Sequence, residues 1–173
     1  MIKSNLIFSE KQKQKAIWVW AILAVVFIIF LYTFVRQIFF NSPVGNQVSS
    51  DWSLYLNLAL ILFLGYLFYC IGLSVEIREQ AIYYKFTPLH LKWRQINFSD
   101  ISKAYVRSYK PIAEYGGWGW RLGMGGQGRA LTVKGNHGLQ LELKTGKKIL
   151  LGTQKPEELK RVLESNKLSI NKI

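Results

Sequence analysis

The stretch Leu54-Tyr55-Leu56-Asn57-Leu58-Ala59-Leu60-Ile61-Leu62-Phe63-Leu64-Gly65-Tyr66-Leu67-Phe68-Tyr69-Cys70-Ile71-Gly72-Leu73 carries no charge, and only Asn57, Gly65 and Gly72 interrupt its apolar and aromatic run. About twenty such residues, at a rise of about 1.5 Å each, match a bilayer core of about 30 Å. With no linker, Ser74-Val75-Glu76-Ile77-Arg78 follows, alternating apolar and polar residues as a half-buried strand does. The expectation is a folded domain held directly against a membrane.

Towards the N-terminus, Ala16 to Val35 is a second uncharged run, with Trp18, Trp20, Tyr32 and Phe34 towards its ends, where amphipathic rings favour the headgroup boundary. This predicts a transmembrane hairpin over 16–73, with a first helix at about 16–36 and a second at about 52–73. A cleaved signal is the competing reading, disfavoured by the length of the run, the missing small-x-small cleavage pattern and the second span. Residues 1–15, with Lys3, Lys11, Lys13 and Lys15, read as a basic cytoplasmic flank able to form a fraying amphipathic turn. The connector from Gln37 to Ser53 has no Lys or Arg, so the positive-inside rule predicts a multi-pass protein of the cell membrane with both termini cytoplasmic. Arg36 lies at the outer end of the first helix and is expected to snorkel to the headgroups. Asn57, near the end of the second, is expected to meet interfacial water or to bond across to the first helix.

Of 173 residues, the segment 74–173 leaves about 100 for one domain, enough for a single core. Its 18 basic and 8 acidic residues give +10 of the chain's +13, a charge that attracts anionic surfaces. With a span next door, anionic lipid headgroups are the nearer partner and nucleic acid is not expected. Cys70, the one cysteine, sits inside the apolar run and rules out an intrachain disulfide.

Beyond Arg78 the period is two. Glu79-Gln80 turns the chain, Ile82, Tyr84 and Phe86 share one face of a second strand, and Thr87-Pro88 punctuates it. Leu89, Leu91 and Trp93 alternate with His90, Lys92 and Arg94, which predicts a third strand with an apolar and a basic face. Ile96 to Ile101 reads as a corner, and Ser102 to Tyr109 as a further strand ended by Lys110-Pro111. Gly116 to Gly128 holds seven glycines in thirteen residues, too many for a regular helix. Read as a strand, it places Trp118, Trp120 and Leu122 on one face and Gly117, Gly119 and Arg121 on the other. The two Trp are expected to be structural and to fill the core, with Arg121 and the loop Gly123 to Gly128 as the contact surface; the alternative is that the Trp side meets the headgroup boundary or a partner. Strands are expected again at Arg129 to Lys134, Leu139 to Lys144 and Lys148 to Gly152. Pro156 to Ser165 has Pro and two Glu early and Lys160 and Arg161 later, as a helix and its dipole prefer.

About seven strands and a C-terminal helix, with the corner Ile96-Asn97-Phe98-Ser99-Asp100-Ile101 and the run from Tyr115 through Gly152-Thr153-Gln154-Lys155-Pro156-Glu157-Glu158-Leu159, resemble bacterial pleckstrin-homology-like (PH-like) membrane proteins, which carry one or two spans ahead of the barrel. The resemblance covers most of Ser74 to Ser165. It implies a mainly β PH-like barrel with a C-terminal capping helix over 74–173, set at a membrane, and no particular reaction.

Motifs with chemical content are few. Gly123-Met124-Gly125-Gly126-Gln127-Gly128 satisfies G-x-G-x-x-G, but Arg129-Ala130-Leu131-Thr132-Val133 directly after it reads as a strand, whereas a dinucleotide site needs a helix N-terminus there. His90 and His137 have no His, Cys or acid at metal-site spacing, and no Ser/His/Asp or Cys/His signature occurs, so no metal, cofactor or catalytic set is expected. His90, Lys92, Arg94, Arg121 and Arg129 are the candidate surface for anionic lipid or a membrane-protein partner. Eukaryotic phosphoinositide-binding PH domains place their basic motif at the first hairpin, here Arg78-Glu79-Gln80-Ala81 with an acid in it, so the attraction is expected to be nonspecific. The functional expectation is a membrane-anchored, noncatalytic PH-like scaffold or interaction module at the cytoplasmic face, compatible with oligomerisation. The alternative is an enzyme acting on a membrane-associated substrate, which would show polar groups of shifted pKa converging in a barrel pocket.

Overall fold

The computed structural model describes residues 5–14, 17–40, 42 and 51–165. Lys3 and Lys15 of the expected flank, connector positions 43–50 and the tail 166–173 lie outside the described residues. The chain divides into two compact units, Lys15–Cys70 and a discontinuous one made of Met1–Gln14 with Ile71–Ile173.

The first unit holds two helices long and apolar enough to cross a membrane, α1 (Ile17–Phe40) and α2 (Asp51–Cys70). Phe34 meets Tyr55 edge-on at 5.6 Å. α1 runs a full turn past Arg36, whose guanidinium donates to Ser42 Oγ at 2.7 Å and lies over the Tyr32 ring. Asn57 donates to the Ser53 carbonyl of its own helix at 2.8 Å rather than reaching α1.

The second unit departs from expectation at its start. Leu6–Lys13, read from sequence as a flank, is a strand, β1. It pairs antiparallel with β2 (Gly72–Arg78), Glu10 opposite Val75 and Lys13 opposite Gly72, and the Gln14 N–H donates to the Ile71 carbonyl at 3.1 Å. The helical unit is therefore an insertion between two neighbouring strands of one sheet. The expected second span is shortened accordingly: α2 stops at Cys70, Gly72 already belongs to β2, and Leu73 is fully buried in the β core.

β1 and β2 continue into β3 (Ala81–Thr87) and β4 (Arg94–Asn97) in a four-stranded antiparallel sheet. A 3-10 turn at Phe98–Asp100 leads into a five-stranded sheet in the order β5 (Ile101–Ser108), β8 (His137–Leu143), β9 (Lys148–Gly152), β7 (Arg129–Thr132), β6 (Gly119–Leu122). All its pairs are antiparallel except β7 with β9. The two sheets share one apolar core, with Phe8, Leu73, Ile77, Ile82 and Phe86 from the first meeting Leu131, Leu139, Leu141 and Leu151 from the second. They do not close into a barrel. After β5 comes a short helix, α3 (Pro111–Tyr115), and the described chain ends in α4 (Pro156–Ser165), whose Leu159 and Leu163 enter the same core, each contributing about 1.5–3 kcal/mol of burial.

Two further expectations change. No strand with a basic face runs from Leu89 to Arg94: the His90 N–H donates to the Phe86 carbonyl at 2.7 Å, closing a turn at Pro88, and β4 begins only at Arg94. The chain must turn there because Pro88 has no N–H to offer a ladder. Leu89, Leu91 and Trp93 are left 61%, 82% and 45% exposed. The Gly/Trp stretch does form a strand, β6, but it is the edge of its sheet, so Trp118 and Trp120 are about two-fifths exposed and do not fill the core.

Candidate anion-binding site

Alternation along β4 puts Arg94 on the same face as buried Ile96, and along β7 it puts Arg129 on the same face as buried Leu131. The core-facing row of each sheet thus ends in an arginine. Arg94 stands opposite Tyr84 in register, and the phenol of Tyr84, itself buried, is acted on by both guanidiniums: burial pushes its pKa up while Arg94 and Arg129 pull it back. The turn that carries His90 away from a strand folds its ring edge-on against Tyr84 at 5.8 Å. Burial first, then the same two arginines, hold the imidazole below its ordinary 6.5, so it is neutral at neutral pH. Its Nδ1 is buried and has no hydrogen-bond partner among the described residues. Arg129 completes the cluster by lying over the Trp120 ring at 5.9 Å.

From Arg129 the site widens into a groove of about 500 Å³. Leu122 and Ile149 supply its apolar lining, Lys147 from the β8–β9 turn and Lys148 at the start of β9 add two cations, and the loop Gly123–Gly128 walls it. That loop is tied across its base by the Gly123 N–H donating to the Gly128 carbonyl at 2.6 Å. Gly128 has φ +80°, and a side chain there would strike the Lys148 carbonyl. Among the described residues the ion pairs are Arg78–Glu76, Arg107–Glu114 and Lys155–Glu158; none neutralises Arg94, Arg129, Lys147 or Lys148. Like charges held this close repel, and an anion among them relieves the repulsion.

The structure thus brings His90, Arg94 and Arg129 together around Tyr84 and separates the other two sequence candidates. Lys92 is exposed in the bend before β4. Arg121 lies on the face of β6 opposite Trp120, its Nε donating to the Trp118 carbonyl at 3.2 Å. In the Gly/Trp stretch, Gly117 and Gly119 take positive φ, and the Trp118 indole donates to the Gly135 carbonyl at 2.7 Å. Sequence reading missed Lys147 and Lys148, although two adjacent lysines directly after a Thr-Gly turn were the available signal. The glycine loop leads into β7 rather than a helix, as expected of a hairpin rather than a dinucleotide site.

A second polar cluster lies on the other face of the five-stranded sheet. Arg107 donates to Gln140 Oε1 at 3.0 Å and to the Tyr115 hydroxyl at 3.2 Å and pairs with Glu114 at 2.8 Å. Its hydrogen bond holds the Glu114 carboxyl below the usual range, while burial pushes the Tyr109 and Tyr115 phenols up. Arg107, Gln140, Tyr115 and Glu114 bond to one another and pin α3 to the sheet, a clamp rather than an open site.

The family model DUF6141, described as a family of unknown function, matches residues 2–170. The match begins before β1 and ends beyond α4, so the strand, the inserted helices and the β unit form one family unit. No curated protein matches the chain.

Proposed function

The chain belongs to the DUF6141 family, whose function is unknown, and from its own residues we propose a membrane-anchored, noncatalytic interaction module in which a PH-like β domain is carried on a two-helix hairpin. The observation that carries this reading is the pairing of β1 with β2 across the insertion. Both ends of the hairpin belong to one sheet, so both lie on one side of the bilayer and the two helices cross as a pair or not at all. A signal peptidase cut after α1 would sever Phe8, Glu10 and Gln12 from the domain, which speaks against a cleaved leader. The lysine-free connector then favours the cytoplasm for the domain and both termini.

A continuous apolar core with a basic rim supports a module over an enzyme acting on a membrane-associated substrate: the buried Glu10 carboxylate is taken up by Thr153 and Gln154 in fastening β1, and Tyr84 and His90, the groups of shifted pKa beside Arg94 and Arg129, belong to the rim. The PH-like resemblance is supported by the element order, two packed sheets and then a helix; the parallel β7–β9 pair and the open sheets depart from it. Thiol labelling of Ser49→Cys and Ser165→Cys chains in intact cells, each in a Cys70→Ser background, tests the anchoring. An impermeant reagent is expected to reach the first and not the second, and the reverse pattern overturns the topology.

A further inference from the structure

Lys13, Gly72 and Thr87 lie in one row across β1, β2 and β3. That row is the end of the sheet from which the chain enters α1 and at which it returns from α2, because α2 ends at Cys70, two residues before Gly72. β3 therefore releases the segment 88–93 one strand spacing, about 4.8 Å, from the returning chain. The opposite end of the sheet carries the Glu79–Gln80 turn.

What this segment exposes is unusual for a loop. Leu89, Leu91 and Trp93 are 61%, 82% and 45% accessible, interleaved with His90, Lys92 and Arg94. The end of β6 and the loop after it repeat the pattern: Leu122, 63% exposed, lines the groove with Arg129, Lys147 and Lys148, and Met124 in the loop is also 63% exposed. The two loops share a border: His90, between Leu89 and Leu91, stacks on Tyr84, and Arg129, at the mouth of the second loop, acts on both rings. Clustered exposed apolar side chains mark an interaction surface. Large apolar tips interleaved with cations that form no ion pair among the described residues match the interfacial layer of an anionic bilayer, where the tips enter the acyl boundary and the cations meet phosphates.

We propose that this face, formed by segment 88–93 and the β6–β7 loop, docks onto the anionic headgroups of the membrane that holds the chain, with Leu91, Trp93 and Met124 entering the interface and Arg94, Arg129, Lys147 and Lys148 binding lipid phosphates. The proposal rests on the reading of α1 and α2 as membrane spans. Lipid is favoured over a protein partner because the cations of this face complement anionic headgroups, and because the chain leaves the sheet for the two apolar helices next to segment 88–93, so that even weak contacts with the same bilayer act at a high effective concentration.

The test uses the full chain in nanodiscs, with a nitroxide on Leu91→Cys, Met124→Cys, Gln80→Cys or Leu60→Cys, each with Cys70→Ser, and reads accessibility to oxygen against a water-soluble nickel complex. In an equal mixture of phosphatidylcholine and phosphatidylglycerol, labels at positions 91 and 124 are expected to report lipid, the label at 80 water and the label at 60 lipid. In phosphatidylcholine alone, or with Arg94→Gln and Arg129→Gln together, the labels at 91 and 124 are expected to move to water while the label at 60 stays in lipid. Labels at 91 and 124 in water in both lipid mixtures, with the label at 60 in lipid, overturn the docking and leave the anchor standing. A water-exposed label at 60 overturns the anchor itself. Equal immersion in neutral and anionic lipid overturns the assignment of the cations to phosphates.

Discussion

Glu10 and Lys11 are neighbours in a segment that looks uniformly polar, yet they have opposite roles. Glu10 is buried and accepts from the Thr153 hydroxyl at 2.6 Å and from the Gln154 N–H at 2.7 Å, fastening β1 to the corner between β9 and α4, while Lys11 points to solvent. Glu10→Ala would strand two donors and is expected to cost about 1–3 kcal/mol. Lys11→Ala should stay within about 0.5 kcal/mol of the parent. Thermal melts of the detergent-solubilised chain separate the two. The clamp at Arg107 makes a pH-dependent prediction. The Arg107 hydrogen bond depresses the native Glu114 pKa below its ordinary 4.5, so this carboxylate contributes stability above the unfolded value and loses it as pH falls through the native one. The pair is partly solvated, so its contribution should be no more than about 1 kcal/mol. The difference in melting temperature between the parent and Glu114→Gln is therefore expected to narrow below about pH 4; a difference independent of pH would show that the carboxylate is not depressed.

At the scale of elements, the loop from Gly123 to Gly128 shows where glycine is required and where it is only convenient. Gly128 combines φ +80° with a β-carbon position occupied by the Lys148 backbone, whereas Gly125 has φ +61° and open space. Gly125→Ala should cost about 1–2 kcal/mol for the left-handed conformation alone. Gly128→Ala adds about 1–3 kcal/mol of overpacking and is expected to push β7 from β9, a loss visible as faster amide exchange at Ala130 and Leu131. β8 and α4 were legible in the sequence because alternation or a 3.6 period ran through them without interruption, and β9 because a short apolar run, Ile149 to Leu151, returns directly after the Thr145-Gly146 turn. β1 was not, because its inward positions after Phe8 are Glu10 and Gln12: the face that packs inward is polar, Glu10 accepting from Thr153 and Gln154 and Gln12 Nε2 donating to the Gly152 carbonyl, while Gln12 Oε1 has no partner among the described residues. The reverse error occurred at Leu89 to Trp93, where alternation was present but no strand formed, since a local turn at Pro88 outweighed the pattern. For the candidate site, sequence supplied the types of residue but not their company. Arg94 and Arg129 are 35 positions apart, and only the facing of two sheets unites them.

For the molecule as a whole, the consequence of threading a helical pair through a β domain is that the domain cannot be cut out as one continuous segment. A fragment from 74 to 165 lacks β1 and Leu73. It loses Phe8 and Leu73 from the core, at about 2–5 kcal/mol each, and leaves β2 as an unpaired edge. Together about 4–10 kcal/mol, these losses remove most of a total stability of about 5–15 kcal/mol, and an open edge strand with apolar surface invites aggregation. The insertion itself is dispensable to the β unit, because the Gln14 N–H already bonds to the Ile71 carbonyl and Lys13 stands opposite Gly72. An Asn-Gly pair joining residues 5–14 to residues 71–165 has the length and positive-φ tolerance of a two-residue hairpin turn. The fused chain is expected to be soluble, to show dispersed amide resonances and to melt cooperatively, while the 74–165 fragment is expected to aggregate or remain unfolded. If the fragment folds as well as the fusion, β1 is not part of the domain and the argument that both ends of the hairpin lie on one side of the membrane loses its basis.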